Sequence, residues 1–284
     1  MQVCSTKAEF RGFLDNVRAL GRTVGLVPTM GALHDGHLSL LRAAAGECDV
    51  VALTIFVNPL QFGVGEDLSA YPRPLERDLE LAEAAGADVV FTPSNEEMYP
   101  VPVVTTVHVD GLTAPMEGAA RPTHFDGVTT VVAKLFNIAG TCRAYFGEKD
   151  FQQLAVVTRM AFDLDQPVTV VPCPIVRESD GLAMSSRNVY LNHADREAAT
   201  VLHRALRAGA AMISAGEIDP VVITQHIASV IEAEPLATPG YAEVVDPASL
   251  ETPAALVPGT TVRLLATALF GSTRLLDNLE VPVP

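Results

Sequence analysis

Short β-branched runs alternate with segments of helical periodicity over the first two thirds of the chain. Thr23–Val27, Val50–Val57, Asp88–Phe91, Ala144–Phe146 and Val168–Val171 read as buried strands. Gly36–Ala45 sets Leu38, Leu40 and Leu41 at helical spacing, and Pro72–Ala85 does the same with Leu75, Leu79, Leu81 and Ala82. Thr129–Ala139 and Phe151–Asp163 are two more helical segments. Strand, helix and strand in repetition, with short connections, predict an α/β fold whose sheet is parallel and covered by helices on both faces. Ligands of such sheets bind beyond the carboxyl ends of the strands, where the strand order switches. The chemistry is therefore expected in the segments that follow strands.

The pattern changes near residue 175. Ala194–Ala215 is Ala-rich and reads as one helix, and Pro220–Ala233 reads as another with proline at its start. Gly240–Val245, Thr261–Ala266 and Thr273–Leu276 read as strands of a small sheet, with turns expected at Thr238-Pro239-Gly240 and Val257-Pro258-Gly259. Pro172 and Pro174 stiffen the crossing, so a boundary is placed there: a first domain over 1–175 and a smaller one over 176–284.

Composition narrows the classes. The 284 residues are 49% hydrophobic, enough for a real core, and carry a formal charge of −15. That charge argues against a nucleic-acid backbone as the main partner and disfavours adhesion to a membrane surface. The longest apolar runs, Val50–Leu53 and Ile55–Val57, are far too short to span a bilayer. The opening MQVCSTKAEF has neither a basic nor an apolar targeting region, so no signal peptide is expected. Cys4, Cys48, Cys142 and Cys173 form no CxxC pair, which predicts reduced thiols in a cytoplasmic protein.

Three segments carry candidate chemistry. In Val27-Pro28-Thr29-Met30-Gly31-Ala32-Leu33-His34-Asp35-Gly36-His37, a strand ends, a glycine-containing loop follows and a helix begins. A helix start presents free N–H groups and a positive dipole end to a phosphate. His34 and His37, three positions apart, can face one side and donate hydrogen bonds to phosphoryl oxygens. A metal pair or two surface histidines are the bland alternatives. Phe146-Gly147-Glu148-Lys149-Asp150-Phe151-Gln152-Gln153 also joins a strand to a helix. Lys149 suits a phosphate and Asp150 a helix cap, although by itself the segment is equally an ordinary capped helix. In Asp180-Gly181-Leu182-Ala183-Met184-Ser185-Ser186-Arg187-Asn188, hydroxyl residues precede an arginine able to neutralise a leaving pyrophosphate.

His34-Asp35-Gly36-His37 resembles the HIGH box of the class I synthetase and nucleotidyltransferase superfamily, and Met184-Ser185-Ser186-Arg187 stands in the place of its KMSKS-like loop. Further segments resemble the pantothenate synthetase (pantoate–β-alanine ligase) family in particular. They are Ile55–Gly63, Arg121-Pro122-Thr123-His124-Phe125, Phe146–Gln153 and Leu275-Leu276-Asp277-Asn278, in the family's order over nearly the whole chain.

The resemblance implies a Rossmann-like parallel-sheet domain that binds ATP and pantoate, with a smaller α+β C-terminal lid domain. It implies ATP contacts at Met30, Gly31, Ala32, Leu33, His34, Asp35, Gly36 and His37, at Gly147, Glu148, Lys149 and Asp150, and at Val176, Met184, Ser185, Ser186 and Arg187. His37, His34, Lys149 and Arg187 take the catalytic roles; Gln61 and Gln153 bind pantoate. The implied reaction condenses pantoate with β-alanine through a pantoyl adenylate and releases AMP and pyrophosphate. Mg²⁺ accompanies the ATP, and a homodimer is expected.

Asp35 stands where the family commonly has Glu, and Phe151 where Tyr is frequent. Arg77 interrupts the acidic stretch that often helps hold metal, leaving Glu76 and Asp78, so no side chain is assigned to a metal. A class I aminoacyl-tRNA synthetase would need a basic tRNA-binding extension, which residues 194–284 lack. A simple nucleotidyltransferase would not call for Gln61 and Gln153, and a decayed, non-catalytic relative should have lost His34, His37, Lys149 or Arg187.

Overall fold

The computed structural model describes residues 1–63 and 65–284. The chain forms two compact units: Met1–Glu148 with Gln152–Pro174, and Lys149–Phe151 with Ile175–Pro284.

In the first unit, β1 (Gln2–Cys4), β2 (Val24–Thr29), β3 (Val50–Ile55), β4 (Val89–Phe91), β5 (Cys142–Gly147) and β6 (Val168–Cys173) pair in parallel in the order β1-β4-β3-β2-β5-β6. The helices are α1 (Lys7–Ala19), α2 (Asp35–Glu47), α3 (Leu75–Ala84), the short α4 (Asn95–Met98) and α5 (Glu117–Ala120), α6 (His124–Ala139) and α7 (Phe151–Asp163), whose first residue belongs to the second unit. Leu38, Leu41 and Ala44 of α2 bury their apolar stripe against Val27 of β2 and Leu53 of β3, with Tyr145 of β5 closing the cluster. The strands match the predicted runs within a few residues, because a parallel strand buried on both faces reads as a continuous apolar stretch.

The pattern reading missed β1 and α1. The signal for α1 is present in the sequence: Thr6 accepts from the Glu9 N–H, and the Glu9 carboxylate accepts from the Thr6 N–H, a complete capping box. Phe10, Leu14 and Val17 supply its buried stripe.

In the second unit, α8 (His193–Ala198), α9 (Val201–Ser214) and α10 (Pro220–Glu232) accompany an antiparallel sheet of β7 (Ala237–Val245), β8 (Thr261–Phe270) and β9 (Thr273–Pro282). Leu202, Leu206, Ile227, Leu264 and Phe270 belong to one core. Two expectations change. The predicted helix over Ala194–Ala215 breaks at Ala199-Thr200, where the Thr200 hydroxyl donates to the Glu197 carbonyl at 2.8 Å and competes with the helical ladder. Thr238-Pro239-Gly240 is no turn but lies inside β7; the register slips between Pro239 and Ala242, and the Tyr241 N–H donates to the Thr267 hydroxyl at 3.1 Å.

Candidate functional site

From β2 the strand order runs one way through β3 and β4 and the other way through β5 and β6, so the switch lies between β2 and β5. Two of the three candidate segments begin at those strand ends: Met30–His37 follows β2, and Gly147 closes β5 ahead of the 3-10 turn Glu148–Asp150. Gln153 follows on the first turn of α7.

The first histidine of the loop has a structural task. His34, not Asp35, is the N-cap of α2: its Nδ1 accepts from the Gly36 N–H at 3.1 Å. With Nδ1 accepting, neutral His34 carries its proton on Nε2. His37 lies one turn on, its ring centroid 4.1 Å from that of His34 at a tilt of 39°. Asp35 is exposed in the first turn of the helix, where a carboxylate complements the dipole.

A residue outside the candidate set shapes this loop. Asp78 of α3 is 1% exposed, and its two carboxylate oxygens accept from the backbone N–H groups of Ala32 and Leu33, each at 2.8 Å. Ala32 sits at φ 51° and Gly31 at φ 84°. A Cβ on Gly31 would come within 2.9 Å of Asp78 Oδ2 and 3.0 Å of the Ile55 side chain. The glycine is thus required by both backbone conformation and space, and the carboxylate holds a conformation that alanine adopts at a cost. One signal in the sequence points to Asp78: it lies four positions before Ala82, on the buried stripe of a helix where a lone charge is out of place.

Gln61 ends the 3-10 turn Pro59–Gln61 and is 8% exposed. Its Oε1 accepts from Asn58 Nδ2 at 3.1 Å, and its Nε2 donates to Met30 Sδ at 3.0 Å. Asn58 is held in turn: Nδ2 also donates to the Gly127 carbonyl at 3.0 Å, and Oδ1 accepts from the Tyr99 hydroxyl at 2.8 Å. Gly127 of α6 lies so close to the 3-10 turn that a Cβ there would meet the Leu60 carbonyl oxygen at 2.3 Å. The Gln61 carbonyl accepts from His124 Nδ1 at 2.9 Å and from Arg121 at 3.3 Å, while Arg121 pairs with Glu66. Burial pushes the His124 pKa down, with the Arg121 charge adding to it; hydrogen bonds from Arg121 push that of Glu66 down. Tyr99 and His124 were not singled out for these roles, because they reach Asn58 and the Gln61 carbonyl only through the tertiary fold, whereas Asn58 caps the turn that Gln61 ends.

Lys149 and Asp150 fall in the second compact unit, together with Val176, Met184, Ser185, Ser186 and Arg187. Lys149 Nζ lies 3.4 Å from Asp150 Oδ1. Ser185 caps the 3-10 turn Ser186–Tyr190, its hydroxyl accepting from the Arg187 N–H at 3.2 Å. Gln152, beside Gln153 in sequence, is structural: it is buried, accepts from the Glu117 N–H at 3.0 Å and donates to the carbonyls of Leu112 and Pro115.

A helix N-terminus that opens at the switch point of a parallel sheet is a place where α/β proteins bind anionic ligands such as nucleotides. The family model of the pantoate-beta-alanine ligases matches residues 2–280. Pantothenate synthetase of Sinorhizobium medicae is 52% identical over 278 residues, covering 98% of this chain and 95% of the relative. That of Roseiflexus castenholzii is 54% identical over 280 residues, with 98% of each covered. The crystal structure of pantothenate synthetase from Thermus thermophilus superposes with a TM-score of 0.93 at 48% identity, over 99% of this chain and 100% of that one. The pantoate-beta-alanine ligase of Francisella tularensis, solved as a complex with beta-gamma ATP and beta-alanine, gives 0.82 at 30% identity over 98% and 97%. The chain belongs to the pantoate-β-alanine ligase family. It is an enzyme, an ATP-dependent ligase of pantoate and β-alanine. Among the described residues, no helix is long and apolar enough to cross a membrane.

Proposed function

We propose that the ligation runs through a pantoyl adenylate, with the residues of the β2 and β5 loops and of Val176–Arg187 handling the ATP. A carboxylate is a poor electrophile, so an amine cannot displace its oxygen without activation. Attack of the pantoate carboxylate on the α-phosphorus of ATP releases pyrophosphate and makes AMP the leaving group. The β-alanine amine then attacks the carbonyl, giving the amide and AMP. ATP supplies the activation, so no protein nucleophile is needed.

The observation that carries this reading is the His34–Gly36 cap at the start of α2. It leaves the neutral ring with its proton on Nε2, a donor for phosphoryl oxygens, while α2 adds the positive end of its dipole. His37 donates from the next turn, and Lys149 and Arg187 spread the charge that develops on the phosphates. Met30–Leu33, Asp35, Gly36, Gly147, Glu148, Asp150, Val176 and Met184–Ser186 complete the ATP contacts.

Gln61 and Gln153 bind pantoate. A neutral amide holds hydroxyl and carboxylate oxygens without quenching the carboxylate as a nucleophile, as a tight ion pair would. The bonds from Asn58 and to Met30 support a fixed orientation for the Gln61 amide.

Mg²⁺ enters as the companion of the ATP substrate. Among the described residues, no group of three or more His, Cys, Asp or Glu side chains is placed to hold a metal ion, and both oxygens of Asp78 accept from backbone N–H groups. The four unpaired cysteines support a cytoplasmic location. The family resemblance supports a homodimer, and exposed Val101, Val103 and Val104 offer apolar area for a contact. It also supports a catalytic role for 1–175 and a lid role for 176–284.

The test is an isotope experiment. Pyrophosphate should exchange into ATP with pantoate present and β-alanine absent, and an oxygen-18 label in the pantoate carboxylate should appear in AMP. Label in inorganic phosphate, with ADP as co-product, would mean an acyl phosphate and overturn the reading.

A further inference from the structure

Lys149 and Arg187 lie far apart in sequence, yet two adjacent residues of β9 hold the segments that carry them. Asn278 is fully buried. Its Nδ2 donates to the Lys149 carbonyl at 2.8 Å, and its Oδ1 accepts from Arg263 Nη1 at 3.1 Å. The Arg263 guanidinium lies 4.0 Å from the centroid of the Phe151 ring and also donates to Glu280 at 2.8 Å. Lys149 and Phe151 are thus gripped on either side of Asp150, by Asn278 and by the arginine bonded to it. Only one orientation of the Asn278 amide satisfies both partners.

Asp277 is 2% exposed and pairs with both ends of the Arg177 fork, at 2.6 and 2.9 Å. The same guanidinium donates to the Gly181 carbonyl at 3.0 Å and to the Asn278 carbonyl at 3.1 Å. Arg177 and Gly181 belong to a small hairpin. Glu178 N–H donates to the Leu182 carbonyl at 2.8 Å, Met184 N–H to the Val176 carbonyl at 3.0 Å, and Arg177 faces Ala183 across an isolated bridge. Ser185–Arg187 leaves directly from that hairpin, and Asn188 is tied back to the Ala183 carbonyl at 3.2 Å. Alternation along a strand sends neighbouring side chains to opposite faces, so one strand can serve two segments.

We propose that Asp277 and Asn278 are positioning residues for adenylate formation, holding the Lys149 backbone and the hairpin that carries Ser185–Arg187 in fixed register with each other. Neither touches substrate; they act through Lys149 and Arg187, and so the proposal rests on the reading of those two as phosphate partners. Preorganised charge is effective only when its supports are fixed, and a buried two-point ion pair supplies such a support.

Asn278→Asp tests one arm. It keeps an acceptor for Arg263, puts an oxygen in place of the donor to the Lys149 carbonyl and adds a buried negative charge that Arg263 faces. The variant should fold with a lowered unfolding midpoint, since the Lys149 carbonyl loses its donor, and the KM for pantoate should stay at the wild-type value, while pantoate-dependent exchange of pyrophosphate into ATP falls about tenfold. In a Lys149→Ala background the same change should cost less than about twofold, since residues acting as one unit are not additive. Arg177→Lys tests the other arm: it keeps a cation for Asp277 but loses the fork, and should show the same non-additivity with Arg187→Ala. Wild-type exchange in Asn278→Asp, or full additivity in either pair, would overturn the proposal. If Lys149→Ala and Arg187→Ala themselves leave exchange unchanged, it is the phosphate reading that fails.

Discussion

Replacing Asp78 should loosen the Met30–Leu33 loop before it unfolds the protein. In Asp78→Asn one of the two backbone N–H groups, Ala32 or Leu33, must face an amide NH₂ instead of an oxygen, because each now bonds its own carboxylate oxygen at 2.8 Å. An orphaned buried donor costs about 1–3 kcal/mol, so Asp78→Asn should lose about that much and Asp78→Ala, which orphans both, about 2–6 kcal/mol. Against a total stability of about 5–15 kcal/mol, the Asn variant stays folded. Ala32 is at φ 51°, a conformation that costs about 1–2 kcal/mol for a residue with a Cβ. Once a supporting bond is gone, the loop can relax locally. The loss then appears as faster hydrogen exchange at the Ala32 and Leu33 amides and slower adenylation, with a smaller change in global unfolding. Ala32→Gly in the Asp78→Asn background should recover part of both, since glycine adopts that φ without strain. Urea unfolding, site-resolved amide exchange and pyrophosphate exchange check the three parts. Unchanged amide exchange at Ala32 and Leu33 in Asp78→Asn would refute the strut. A side chain acting only on Mg²⁺ would shift the Mg²⁺ dependence and leave those amides alone.

His37→Ala should slow adenylation by about 2.7–4 kcal/mol of barrier with the fold intact, the usual loss of one preorganised donor; a folded variant within about threefold of wild type would remove His37 from the mechanism. Gln61→Ala should raise the KM for pantoate by the equivalent of about 1.5–3 kcal/mol and leave ATP affinity unchanged. Tyr99→Phe, which takes a donor from Asn58, should act in the same direction but more weakly, as titrations of each substrate will report. Burial holds the His124 pKa below its ordinary 6.5, so between the folded and unfolded values the unfolded chain binds more protons. Stability should therefore fall as pH drops through 6.5, and His124→Gln should flatten the slope between about pH 7.5 and about pH 5.5. Equal slopes in urea unfolding would show that His124 is not the titrating group. Glu66 does not confuse that window: its pKa is held below 4.5, and the stability it adds is lost only in more acid solution.

Whatever depends on neighbours in sequence was open to reading from the sequence alone. The parallel α/β class follows from Val50–Ile55 and its companions, because a strand buried on both faces reads as a near-continuous apolar run, interrupted here only by Thr54. The Met30–His37 segment was legible as the end of one element and the opening of the next, because its glycines lie between an apolar run and a helical pattern. Even α1, which periodicity missed, is signalled locally by Thr6 and Glu9. The tertiary structure alone decided what long-range contacts set. Asp78 comes from α3 to hold Ala32 and Leu33, Tyr99 reaches Asn58 across 41 positions, and His124 reaches the Gln61 carbonyl across 63. Asn278 reaches the Lys149 carbonyl across 129 positions. Such contacts leave almost no trace in a single sequence, because a side chain that bonds a distant backbone group constrains only itself. The backbone partner accepts or donates whatever its residue type, so only the folded chain names it.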